Sequence, residues 1–229
     1  MKTLDQLINR EQPGWPLVQT WISSAVRPCE ILEPSSERRG EELVAAQVST
    51  RSPMGAVIYE SAGLMIDHGW LRILGSGGHP RMKRSLASWN AKKMNGFCLI
   101  ADDVIGGFFA LNGGSLGPDS GNVYYLAPDT LEWFPCEIGY SQFLMWCLSP
   151  RLDKFYEGLR WTGFQEETKG LSGDSAFNFH PPLFAQGHPP WERHRAPVPV
   201  EEQFLFTMQS QAFVRNELHQ GGSFRIAIK

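Results

Sequence analysis

The sequence is short of the features that usually announce a function. It has no run approaching the roughly 20 apolar residues that a bilayer span requires, so no membrane partner is expected. Its first residues, Met1-Lys2-Thr3-Leu4-Asp5, lack the apolar core of a secretory signal, which sets the expectation of a cytoplasmic protein. Cysteines are few. Cys29, Cys98, Cys136 and Cys147 form no CxxC pair, which argues against a zinc knuckle or a thioredoxin-like motif. Cys98 and Cys147 lie in apolar runs and read as small buried hydrophobes. There is no basic excess: 21 Lys and Arg against 24 Asp and Glu give a net charge of -3, unlike a general nucleic-acid binder. The Walker A and HExxH patterns are missing, so no familiar nucleotide or zincin site is announced. No cofactor is implied.

What is there suits a folded chain. Hydrophobic residues make up 42% of the 229 and charged residues 20%, enough apolar material for a sizeable core without disulfides or metal. Aromatic content is 12%, with eight Trp and fourteen Phe, which fill a core or line an interaction surface.

Periodicity divides the chain. Leu4, Leu7 and Ile8 predict a helix over 3–10, and Leu17, Val18, Trp21 and Ile22 another near 15–25. Cys29 to Leu32 reads as a strand, and a helix capped by Ser35 or Ser36 follows to about Ala46. Ala56 to Leu74, rich in Val, Ile, Tyr and Trp, predicts two or three strands broken at Ala62-Gly63 and His68-Gly69. After a short helix with Leu86 and Trp89 come strands at 97–101, 108–111, 123–126 and 130–134, a pattern of antiparallel meander. Ser141 opens a helix with Phe143, Leu144, Cys147 and Leu148 inward. Leu152, Phe155, Tyr156 and Leu159 continue at helical spacing, and Trp161 and Phe164 begin one more. Residues 171–199 hold six of the sixteen prolines and three of the six histidines, and read as an irregular segment wrapping the surface. A last helix is predicted over Glu201 to Leu218, and a strand in Gly221 to Lys229. The expectation is an α+β fold in one domain, 1–229: a core at about 3–170, a wrapping segment at 171–199, and a terminal helix and tail at 200–229.

Three constellations bear on chemistry. Gly75-Ser76-Gly77-Gly78-His79-Pro80-Arg81, with Arg84, lies between a predicted strand and helix. Converging backbone N–H groups and two guanidinium groups suit a phosphate or carboxylate, with His79 as acid or base; the alternative is a plain turn. Asp102, Asp103, Asn112 and Asp119 offer oxygen ligands for a cation, or cap turns. His180, His188 and His194 with Glu192 have looser spacing than structural zinc sites and read as loop histidines.

Several motifs carry a resemblance. Thr50-Arg51-Ser52-Pro53-Met54-Gly55-Ala56, Ile66-Asp67-His68-Gly69-Trp70-Leu71-Arg72-Ile73-Leu74-Gly75, Gly106 to Gly114, Asn122-Val123-Tyr124-Tyr125, and Phe155-Tyr156 with Leu159-Arg160-Trp161 resemble domain-of-unknown-function family 2625 over residues 3 to 218. The stretch 97–148 is also similar to the SUKH superfamily: Asp102, Asp103, Gly106 and Gly107, then Phe109 to Asn112, Val123-Tyr124-Tyr125, and Tyr140 to Leu144. That resemblance implies an α+β scaffold for protein binding, notably in immunity proteins that neutralise bacterial toxins, and it transfers no catalytic residue. The expected function is therefore a non-enzymatic module for an unidentified protein partner. Asn112, Asp119, Tyr124 and Trp133 are its candidate surface. The rivals are an enzyme or sensor of a small anion at Gly75, Gly77, Gly78, His79, Arg81 and Arg84, and a homo-oligomeric structural protein.

Overall fold

The computed structural model describes residues 1–91 and 96–219. Seven strands form an antiparallel meander whose order in the sheet is their order in the chain: β1 Cys29–Leu32, β2 Gly63–Ile66, β3 Leu71–Leu74, β4 Phe97–Asp103, β5 Phe108–Asn112, β6 Asn122–Leu126 and β7 Trp133–Gly139. Helices α1 Leu4–Leu7, α2 Trp15–Ser23, α3 Arg38–Ala46 and α4 Pro53–Glu60 flank the β1–β2 end, and α5 Leu86–Asn90 lies between β3 and β4 in the chain. Helices α6 Tyr140–Cys147, α7 Arg151–Phe155 and α8 Phe164–Lys169 follow β7. A two-stranded sheet, β8 Ser175–His180 with β9 His194–Pro199, leads into α9 Val200–His219. This is the expected α+β class.

Adjacent residues on a strand point to opposite faces, and Phe108 and Phe109 show what covers each. Phe109 packs on Phe143 of α6, with centroids 4.9 Å apart. Phe108 meets Phe204 of α9 edge-on, also at 4.9 Å. The apolar core continues past residue 170, because Phe177, Phe179, Val200 and Phe204 join it. Burying each such side chain contributes about 1.5–3 kcal/mol.

Three local readings are corrected. Residues 56–60, read as strand, belong to α4. Ser52 accepts a hydrogen bond from the Gly55 N–H at 3.1 Å, and Pro53 fixes the first turn, so capping overrides the strand preference of Val57 and Ile58. Residues 171–199, read as irregular, hold the β8–β9 pair, in which Pro197 and Pro199 sit on an edge strand where a missing N–H costs no ladder bond. β7 runs on through Pro135 to Gly139 for the same reason, since β7 is the last strand of the sheet. The tail strand expected at 221–229 lies outside the described residues.

Several charged groups among the described residues are held by polar partners. Arg72, fully buried, donates from Nε to Asp102 at 2.6 Å, and Arg84 closes on the other oxygen of the same carboxylate. Asp103 takes the Ile105 and Gly107 N–H groups on one oxygen and the Tyr125 and Tyr156 hydroxyls on the other, at 2.8 and 2.9 Å. Arg27, Asp67, Arg160 and Asp153 form a closed ring of ion pairs.

Candidate functional site

The glycine-rich loop brings its six predicted residues together and commits them internally. The N–H groups of Ser76, Gly77, Gly78 and His79 donate to the carbonyls of Ser61, Ala62, Lys83 and Met82 at 2.9–3.1 Å. Gly77 and Gly78 have φ of 63° and 75°, and a Cβ on Gly75 would stand 2.4 Å from the Ser61 oxygen. The glycines thus serve a close backbone crossing. Arg81 pairs with Glu30 and donates to the Lys169 carbonyl. Arg84, 9% exposed, pairs with Asp102, donates to the Gly173 carbonyl at 2.7 Å and stacks on Trp89. The Nδ1 of His79 accepts the Arg81 N–H. The backbone donors at 76–79 and both guanidinium groups therefore already have partners within the chain.

The second predicted set divides. Asn112 is buried and organises the loop after β5: its amide donates to the Gly117 carbonyl, and its oxygen accepts from Gly114 and Leu116. Tyr124, also buried, donates to Asp119, and this bond holds the Asp119 carboxyl below its ordinary value. Trp133 packs edge-on against Phe97. Asn112 and Tyr124 face inward, so they shape the loop rather than offer a contact surface. Among the described residues, no group of three or more His, Cys, Asp or Glu is placed to hold a metal. His180 and His194 sit opposite one another in the β8–β9 register, while His188 pairs with Glu192.

Sequence reasoning missed a large cleft. A groove of about 920 Å³ lies between β7 and the α6–α7 pair. Tyr125, Cys136, Ile138, Phe143 and Trp146 form much of its lining. Phe134, Met145 and Phe155 stand in it 43%, 41% and 37% exposed. Met145 carried a signal: it is a large apolar residue off the inward stripe of α6. Pro135 has no N–H to offer, and Glu137, with a positive φ of 58°, lies where the β6–β7 register shifts. Burial pushes the Cys136 thiol up to about 12, which keeps it protonated and unreactive. The lining contains no histidine, and its only charged members are Asp129 and Arg151. The arrangement offers apolar contact area with two charges, and no base beside a nucleophile.

The curated relatives share most of the chain. A protein of Escherichia coli K12, "Putative uncharacterized protein YbfG", is 46% identical over 214 residues, covering 92% of this chain and 97% of its own. An "Uncharacterized protein" of Haemophilus influenzae Rd is 43% identical over 190 residues, 80% of this chain and 83% of its own. No solved structure matches. Residues 4–203 match the model of the family described as "Protein of unknown function DUF2625", and the chain belongs to that family.

Proposed function

We propose that the protein is a binding module rather than a catalyst, and that the groove between β7 and α6–α7 is its docking surface for a protein partner. The observation behind this reading is that Phe134, Met145 and Phe155 are exposed around one apolar cleft. Single exposed hydrophobes are ordinary, whereas a clustered patch marks an interaction site. Aromatic residues and methionine are enriched at such surfaces, and Trp146 adds to the set. The resemblance of motifs in residues 97–148 to the SUKH superfamily, read from the sequence alone, points to the same class of function, with toxin neutralisation as its finer form.

The test compares two baits in lysate of the native host: the wild type and Phe134→Asp, matched for thermal unfolding midpoint. The reading expects a stoichiometric protein held by the wild type and lost from the variant. Identical profiles from the two baits would sink it.

A further inference from the structure

The groove carries a charge pattern that points to one occupant. Asp129 lies on the β6–β7 turn and Arg151 at the start of α7, both in the lining. Neither forms an ion pair with another described residue. A face with one unmatched carboxylate and one unmatched guanidinium in an apolar setting is complementary to itself. Consider a two-fold axis lying in the contact plane, midway between the two charges. It sets Asp129 of each copy against Arg151 of the other, and residues on the axis meet their own counterparts.

We propose that the groove is a homodimer interface whose occupant is a second copy of this chain. The proposal rests on the docking reading above and names its partner. Extension of the sheet is not the mode of contact. Pro135 has no N–H to donate, and the backbone at Glu137 turns out of the ladder. The copies meet through side chains. Phe134 stands on the β7 wall, and Met145 and Phe155 stand on the helical wall. Each Phe134 enters the cleft of the other copy against its helical wall, which covers the exposed hydrophobes on both sides at once. The two ion pairs fix the orientation, since any other rotation about the contact leaves like charges or unmatched charges against apolar surface.

Sedimentation equilibrium of the full chain over a range of concentrations tests this. A reversible monomer–dimer equilibrium is expected. Phe134→Asp yields a monomer whose unfolding midpoint stays near that of the wild type, because the side chain is already 43% exposed. Asp129→Arg and Arg151→Asp each weaken the dimer by about tenfold or more. The double variant recovers to within about threefold of the wild type, because the exchanged charges meet again across the axis. That recovery distinguishes the proposed contact from general damage to the surface. A wild type that stays monomeric at about 100 μM overturns the proposal. So does a dimer indifferent to all three substitutions, which would use another face. If the wild type is monomeric but still captures a protein through Phe134, the second copy is excluded and the docking reading stands. If it does neither, both fall.

Discussion

Asp102→Asn tests the account of the interior most sharply. The Asp102 side chain is fully buried and holds two guanidinium groups, those of Arg72 and Arg84. The two are not equally dependent on it. Arg84 also has Asp174 at 3.5 Å, the Gly173 carbonyl and the face of Trp89. Arg72, 0% exposed, has Asp102 as its only ion-pair partner among the described residues. The asparagine keeps the shape and removes the charge, so the main cost is a stranded Arg72. Breaking a buried pair from one side costs about 3–5 kcal/mol. For a chain of this length that lowers the melting midpoint by about 6–20 °C. Arg72→Met is expected to cost less, about 1–3 kcal/mol, because Asp102 keeps Arg84. The double variant should lie nearer to Arg72→Met alone than to the sum, since it strands no charge at position 72. Urea unfolding of the three variants measures all of this in one cycle, with an unchanged slope as the check on two-state behaviour. If Asp102→Asn costs no more than Arg72→Met, or if the two costs simply add, the buried network is not organised as described.

Other consequences follow from single positions. Gly55→Ala should destabilise by about 1–3 kcal/mol, because its Cβ would stand 2.1 Å from the Ser49 carbonyl oxygen, while Gly170→Ala, with nothing within 4 Å, should be nearly neutral in the same unfolding assay. Cys136, with its thiol near 12, should react with Ellman's reagent at pH 8 about a thousandfold more slowly than an unperturbed thiol, and a rate near that of free cysteine would refute its burial. Burial raises the Asp103 carboxyl, so the folded state holds that proton more tightly than the unfolded chain does. Its contribution is full below the ordinary aspartate value and is lost as pH rises through the folded one. The stability of the wild type relative to Asp103→Asn should therefore fall as pH rises from about 4, and a difference that grew instead would contradict the assignment.

Most of the architecture was legible because its signals are local. Tight turns between short apolar strands gave the meander, and apolar spacing gave several helices, although α3 and α6 start after Glu37 and Gly139 rather than at the expected serines. Misreadings occurred where a local rule met a competing one. Val57 and Ile58 prefer strands, yet Ser52 and Pro53 nucleate a helix around them. Pro135 reads as a strand stop, yet an edge strand tolerates it. The site was less legible, because accessibility is set by tertiary packing. Asn112 and Tyr124 have the composition of a recognition loop, but their polar groups are bonded inside it. Arg81 and Arg84 have the composition of an anion site, but Glu30 and Asp102, distant in sequence, take up their charge. The groove forms from β7, α6 and α7 only once they are packed together, and the pattern shows only single unexplained hydrophobes such as Met145.

The groove and the buried network are parts of one construction. Tyr125 lines the groove and donates its hydroxyl to Asp103 at 2.8 Å. Phe155, on the opposite wall, packs on Tyr125 at 5.0 Å and on Tyr156 at 4.9 Å. Tyr156 donates to the same carboxylate oxygen as Tyr125. One buried Asp103 thus fixes the floor directly and one wall through a ring contact. The cost of binding grows with the side chains that must be ordered at contact, and a surface whose aromatic rings are already held lowers it. Tyr125 and Phe155 are held in this way, whereas the Phe134 and Met145 side chains stand 43% and 41% exposed. A pre-set floor beneath exposed rims suits the proposed docking role. The same arrangement implies that loss of Asp103, which is not itself in the lining, would loosen the groove from beneath.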